Sequence, residues 1–466
     1  MSRPAYRSAP AELTDPAARE SYRAARPVVR RLQDSGFEAY LVGGGVRDLL
    51  LGRVPGDWDI ATGARPETVL ALWPEAAPTG IKHGTVTLPR PEGNLEITTF
   101  RTEGPYSDGR RPDWVSLDAD LPGDLSRRDF TVNAMAFDPE ARVLVDPEGG
   151  LADLAARILR TVGDPDRRFA EDGLRPLRGI RLAAVLQFRI TAETLAAMTR
   201  ARDRVAGVAR ERVRDELVKL LAAPRPSAGI EILRETGLLD LVLPELLEGV
   251  GVEQNRHHAY DVYEHTLRAL DAAPPEKPLV RLAALLHDVA KPRTRRVVDG
   301  EGTFHDHQNV GATMSEAILD RLRFSRSDRN HVTRLVREHM FHYTPEWSDA
   351  AVRRFLRRVG PEAVGDLFDL RRADDEAHGT GRDPRPALAE LGGRIAAVRG
   401  REEALTVGDL AVNGADVMAV LGCEPGPKVG RILNDLLEQV LEAPELNTRD
   451  ALLALVRERN AGGGSS

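Results

Sequence analysis

Two aspartates, Asp57 and Asp59, stand two positions apart in the run Gly52-Arg53-Val54-Pro55-Gly56-Asp57-Trp58-Asp59-Ile60. If that run is a strand, its two-residue period puts both carboxylates on one face, where they can hold two hard cations against phosphate oxygens. A cation pair of that kind clamps the attacking and leaving oxygens of a phosphoryl transfer. Just upstream lies Leu41-Val42-Gly43-Gly44-Gly45-Val46-Arg47-Asp48. Consecutive glycines let successive backbone N–H groups face one concavity, as a bound triphosphate requires, and Arg47 adds a cation beside Gly44. A third carboxylate on a neighbouring strand would complete the acidic set, and Glu96 is the best-placed acid. Either motif alone is common; their order and closeness point to two-metal phosphoryl transfer.

Two further segments carry polar chemistry. In Arg127-Arg128-Asp129-Phe130-Thr131-Val132-Asn133, the arginines can face phosphate and Asp129 can accept from a ribose hydroxyl. In Glu171-Asp172-Gly173-Leu174-Arg175, the i, i+3 spacing predicts that Asp172 and Arg175 share one helix face. Cytosine and adenine both show an amino donor beside an unprotonated ring nitrogen, so a carboxylate beside a guanidinium fits either base. Uracil and guanine show a carbonyl beside a ring N–H, which opposes both groups.

In this order the segments resemble the signature of the nucleotidyltransferases that build or repair the tRNA 3′ end, and of the related bacterial poly(A) polymerases. The resemblance implies that Asp57, Asp59 and Glu96 are catalytic, with two Mg2+ on Asp57 and Asp59. It implies a nucleotide held by Gly44, Arg47, Arg128, Asp129, Asn133, Asp172, Arg175 and Arg178, with Arg181 extending the basic surface. The expected partners are CTP, ATP and a tRNA 3′ end, with neither DNA nor membrane among them. Residues 101–115, rich in Gly, Pro, Ser and Asp with three arginines, match a flexible loop that the family's A-adding members possess. Its presence points towards addition of the final A, and the resemblance as a whole implies addition of CMP and AMP to a CCA end. An A-adding enzyme or a poly(A) polymerase remains the alternative.

A second constellation holds most of the eleven histidines: His265, then His287-Asp288 within an apolar run, His305 and His307, His339, and finally Asp374. His-Asp adjacency with a distant His and a distant Asp resembles the HD phosphohydrolase signature. The resemblance implies a site at His265, His287, Asp288 and Asp374 for Ni2+, Mn2+, Co2+ or Fe2+, with His307 and His339 as candidates for a second metal or for substrate phosphate. A rival from another class follows, a metal-dependent phosphodiesterase whose head only binds nucleotide; intact Asp57 and Asp59 speak against it.

The elements that position these residues follow from pattern. Leu, Ala, Arg and Glu dominate and aromatics are 5%, which predicts an α-rich protein with one small sheet; the resemblance implies an α+β arrangement in which that sheet forms an N-terminal head like that of polymerase β, followed by helices. Residues 39–42 read as a buried strand, 27–36 as a helix before it, and a helix starts near Pro66. Residues 85–88 and 95–100 read as an antiparallel pair. Residues 1–20 read as a polar tail, 21–150 as the head, and 151–225 as a helical neck without strands, closed by a charged helix over 209–219. Residues 226–380 read as the HD body. Beyond a linker at 381–386 lies a helical tail to 466, where Lys428 and Arg431 at a helix start could seat an RNA phosphate and 461–466 form a loose end. Cys423 is the only cysteine, which excludes an intrachain disulfide. The net charge of −7 argues against indiscriminate coating of nucleic acid but permits a local basic face. With no membrane-length apolar run and no signal segment, the protein is expected in the cytoplasm.

Overall fold

The computed structural model describes residues 5–6, 16–104, 114–254, 259–298, 301–379, 383–401 and 405–462. It divides into two compact units, residues 1–244 and 245–466. Among the described residues no helix is long and apolar enough to cross a membrane.

The first unit is built on an eight-stranded sheet of β1 (Ala5–Tyr6), β2 (Ala39–Val42), β3 (Trp58–Thr62), β4 (Ala77–Gly80), β5 (Thr85–Leu88), β6 (Leu95–Thr99), β9 (Ala136–Asp138) and β10 (Val143–Val145). The spatial order is β1-β10-β9-β2-β3-β6-β5-β4. Within it β3 and β6 run parallel, and β5 pairs antiparallel with β6 as the alternation in both segments predicts. Leu41, Ile60, Val86 and Ile97 form the buried centre. Helix Pro16–Asp34 lays Ala25, Val28, Val29 and Leu32, spaced for one helical stripe, into that core.

Several expectations are corrected here. The first helix starts at Pro16, not near residue 27, and Pro27 sits inside it; its buried stripe outweighs the one backbone bond that proline removes. Residues 5–6 pair with β10, so the supposed tail is partly strand. At the three glycines, Gly43 turns the chain at φ 75° and Gly44 already begins helix Gly44–Leu50. The segment 101–115 is anchored at both ends, where β7 (Thr102–Glu103) pairs with β8 (Val115–Ser116), while 105–113 lie outside the described residues. Strands also continue past residue 150, in the parallel pair β11 (Ile158–Leu159) and β12 (Arg189–Ile190).

Helices complete the first unit. Those most important to the site are Leu121–Ser126, Pro165–Glu171, Arg175–Leu186 and Arg210–Leu221, the last matching the charged helix expected over 209–219. In the second unit, helices Val262–Ala272, Pro278–Leu286, His307–Arg321, Arg326–Glu338 and Val364–Ala377 carry the histidine constellation. A short hairpin, β13 (Arg296–Val298) with β14 (Glu301–Thr303), was not foreseen. The expected linker is already helical from Arg385, and 380–382 lie outside the described residues. Helices Gly414–Leu421, Pro427–Glu442 and Arg449–Gly462 share a core of Val417, Leu436, Leu437, Val440, Leu452 and Val456. The last helix therefore includes Ala461 and Gly462, which were expected to be loose; 463–466 lie outside the described residues.

Candidate active site

In the first unit a cleft of about 1000 Å3 opens beside the exposed end of β3. Gly44, Arg47, Asp57, Asp59, Glu96, Arg128, Asp129, Asn133, Asp172, Arg175 and Arg178 all line it. Asp57 stands just before β3 rather than within it, while Asp59 is its second residue. Asp59 is in register with Glu96 on the parallel neighbour β6, so the third carboxylate lies beside the second. Burial pushes the Asp59 carboxyl above its ordinary range; Arg128 works against that and Asp57 adds to it. Burial, then Asp59 and Asp57, push Glu96 up as well. These are carboxylates crowded against one another, a cost that a divalent cation removes, and an all-oxygen donor set suits a hard one.

Arginines ring the acids, each held by a counter-charge. Arg47 donates from Nη1 to Asn133 Oδ1 at 2.6 Å and pairs with Asp48 at 2.9 Å. Arg178 meets Asp129 Oδ2 at 2.9 Å, and Asp129 Oδ1 accepts from Asn133 Nδ2 at 3.2 Å. Burial would raise Asp129, but Arg178 and Arg175 overcome it and hold the carboxyl down at about 2. Gly43 is required where it stands. A Cβ there would lie 2.9 Å from Arg128 Nη1 and 3.2 Å from Asp59 Oδ2, on backbone already in the left-handed region.

The Asp172–Arg175 pair needs correction. Helix Pro165–Glu171 ends before Asp172, which is extended (φ −141°, ψ 114°), and the next helix starts at Arg175. The two side chains share a turn and a cleft, not a helix face. Gly173 is needed in that turn, because a Cβ there would come within 2.4 Å of the Arg204 carbonyl oxygen. Nor do they pair with each other. Arg212 donates to both Asp172 oxygens, at 3.1 and 2.6 Å, and Arg175 Nη1 donates to Glu171 at 2.5 Å. Arg212 and Glu171 went unremarked in the sequence. The Glu171–Arg175 contact had an i, i+4 signal, but Arg212 lies 40 residues from Asp172 and had none.

In the second unit the four nominated residues converge, fully buried. His265 Nε2 lies 3.1 Å from Asp374 Oδ1 and 3.4 Å from Asp288 Oδ2; His287 Nε2 lies 3.4 and 3.2 Å from the same two oxygens. Asp288 Oδ1 turns the other way, 3.4 Å from His307 Nε2 and 3.9 Å from His339 Nε2. In His287, His307 and His339 the Nδ1–H donates to a backbone carbonyl, of Ala284, Phe304 and Val336, which leaves Nε2 to bind a cation. His265 and His287 Nε2 atoms stand 3.3 Å apart, an arrangement that needs a proton or a cation between them. His378, four residues after Asp374 on one helix, joins the cluster and was missed.

Both units resemble known proteins. Residues 39–160 match the family model described as the poly A polymerase head domain, 187–249 that of a probable RNA-binding site of polymerase A, and 256–379 that of the HD domain. The chain is 39% identical to the A-adding tRNA nucleotidyltransferase of Deinococcus radiodurans, over 86% of this chain and 91% of that one. It is 34% identical to the CCA-adding enzyme of Geobacillus stearothermophilus, over 93% and 96%. A crystal structure of the Bacillus stearothermophilus CCA-adding enzyme in complex with CTP superimposes with a TM-score of 0.72 at 30% identity, covering 97% of this chain and 99% of that one.

The raised Asp59 carboxyl gives a test that needs no substrate. A carboxylic acid with a raised native pKa binds more protons folded than unfolded, so its ionisation weakens the fold as pH climbs from the ordinary carboxyl value through the native one. In EDTA no cation offsets that penalty, which grows as pH rises. Asp59→Asn should therefore melt at higher temperature than the wild type at pH 7 in EDTA, and the gain should shrink at acidic pH. A variant that melts lower at both pH values would show that Asp59 is stabilised, not strained.

Proposed function

The chain belongs to the family of tRNA nucleotidyltransferases and related poly(A) polymerases, and from that membership we propose that it adds CMP and AMP to the tRNA 3′ end, building or repairing CCA without a template. The observation that carries this reading is that one cleft gathers three things: paired carboxylates, phosphate-facing arginines and a turn that can read a base edge. Two Mg2+ on Asp57 and Asp59, with Glu96 beside them, would supply charge stabilisation for attack of the RNA 3′ hydroxyl on the α-phosphorus and for departure of pyrophosphate. Gly44, Arg47 and Arg128 cradle the phosphates. Asp129, kept ionised by Arg178, accepts from the ribose, and Asn133 orients both Asp129 and Arg47. Arg212 holds Asp172 in place, yet a carboxylate has lone pairs enough to accept from a base amino group as well. Arg175 offers its remaining N–H donors to the ring nitrogen. Work on tRNA supports a cytoplasmic location.

A narrower reading, addition of the final A alone, is favoured by the A-adding relative of Deinococcus radiodurans. Incubation with CTP and ATP on three tRNAs separates the possibilities: one lacking CCA, one ending after both cytidines, one complete. CCA addition lengthens the first by three residues and the second by one; A addition lengthens only the second; a poly(A) polymerase lengthens the third. On whichever tRNA the wild type extends, Asp57→Ala should lose activity by at least several kcal/mol of transition-state stabilisation while the fold persists. Near-wild-type incorporation by that variant would remove Asp57 from the chemistry.

Base choice supplies another test. Asp172→Ala should weaken discrimination against UTP and GTP by roughly 1–3 kcal/mol, more than it weakens triphosphate binding. A uniform loss for all four nucleotides would make the Asp172 turn structural.

We further propose that the buried cluster at His265, His287, Asp288 and Asp374 holds a transition metal and hydrolyses phosphoesters. Imidazole with carboxylate favours Ni2+, Mn2+, Co2+ or Fe2+ over Mg2+. His287→Ala with Asp288→Ala should abolish metal-dependent phosphatase or 2′,3′-cyclic phosphodiesterase activity and leave Mg2+-dependent addition nearly unchanged. Purified wild type with no bound transition metal, and no hydrolysis in added Ni2+ or Mn2+, would reduce the cluster to a scaffold.

A further inference from the structure

One layer behind the cleft wall, on helix Leu121–Ser126, Asp124 is 1% exposed and does not itself line the cleft. Both of its oxygens are used. Oδ1 accepts from Arg127 Nε at 3.0 Å and Nη2 at 2.7 Å, and Oδ2 accepts from Arg128 Nη2 at 3.3 Å. Burial pushes this carboxyl up, but Arg127 and then Arg128 bring it below its usual range. Asp124 is thus an ionised group inside the protein whose partners are the two arginines that open the Arg127–Asn133 segment.

On the cleft side Arg128 Nη1 donates to the Asn133 backbone carbonyl at 3.5 Å. Arg128 Nη1 and Asp59 Oδ2 also border the same space above Gly43, each close enough to crowd a Cβ built there. Even so, among the described residues the ion pair that Arg128 forms is with Asp124 and not with Asp59. A guanidinium released beside a half-buried carboxylate would close on it, because charge-assisted pairs are strong where water is scarce. Asp59 would then be spent on an arginine and lost to a divalent cation.

We propose that Asp124 is a positioning residue for nucleotide transfer: it tethers Arg128 away from Asp59, leaving the Asp59 oxygens open to a divalent cation while the guanidinium stays within reach of the triphosphate. The inference rests on the reading of Asp59 and Arg128 given above. It makes Arg128 a held-back competitor of the cation, a role distinct from simply bracing the turn.

The test is on the full chain, with Mg2+ binding measured by titration calorimetry in the absence of nucleotide and RNA, and the Mg2+ concentration for half-maximal CMP or AMP incorporation measured alongside. Asp124→Asn, which keeps the shape and removes the charge, should weaken both about 10- to 100-fold. Adding Arg128→Ala to that variant should restore Mg2+ binding while CTP binding stays weak. An unchanged Mg2+ response in Asp124→Asn, or a weakened one that the second substitution fails to restore, overturns the proposal. If Asp124→Asn does not fold, Arg128→Ala alone decides: Mg2+ binding that holds or tightens supports the tether, and binding that weakens refutes it. A wild type that extends no tRNA would instead fail the parent reading.

Discussion

Like charges forced together at the mouth of a sheet set the terms for the rest of the first unit. Asp59 and Glu96 sit in register on adjacent parallel strands with Asp57 at the same end, and burial together with repulsion from neighbouring carboxylates raises Asp59 and Glu96. An isolated chain would not choose that arrangement; the buried centre of Leu41, Ile60, Val86 and Ile97 imposes it. Strain of this sort persists only where the surroundings over-determine it, and it marks places where a ligand is meant to relieve it.

The response of the surrounding helices is an arginine ring in which few guanidinium groups are left to wander. Arg178 is set by Asp129, Arg175 by Glu171, Arg181 by Glu216, Arg212 by Asp172, and Arg127 and Arg128 by Asp124. Half-buried pairs of this type add little net stability, since desolvation offsets most of their attraction. What they provide is direction. Each arginine offers its free N–H groups to the cleft from a fixed position, which is why a chain of net charge −7 can still bind an anion at one place.

Which parts were readable from sequence follows from how local their causes are. The meeting of the carboxylates was legible because Asp57 and Asp59 are near neighbours and Glu96 lies on a segment that reads as a strand, and the meeting of the histidines because His287-Asp288 with a distant His and a distant Asp resembles a known signature. The Asp172 turn was misread as a helix face, although the signal was present: Gly173 sits inside it, where the approach of the Arg204 carbonyl leaves no space for a Cβ. The start of the first helix was misplaced because Pro27 looks like a helix start, whereas the stripe from Ala25 to Leu32 carries the helix straight through it. Arg212 was out of reach for a different reason, since only the folded chain brings it to Asp172, and Asp124 likewise gained meaning only once Arg128 was seen between it and Asp59.

The proposed nucleotide transfer requires one cleft to hold the triphosphate over the carboxylates and the base at the Asp172 turn. A crystal structure of the full chain with CTP and Mn2+, with the metal located by its anomalous signal, measures this directly. The expected result is Mn2+ at Asp57 and Asp59 beside the phosphates, with the cytosine amino group and ring nitrogen facing Asp172 and Arg175. CTP bound elsewhere, or bound there with the base turned away from Asp172 and no Mn2+ on Asp57 and Asp59, would contradict it.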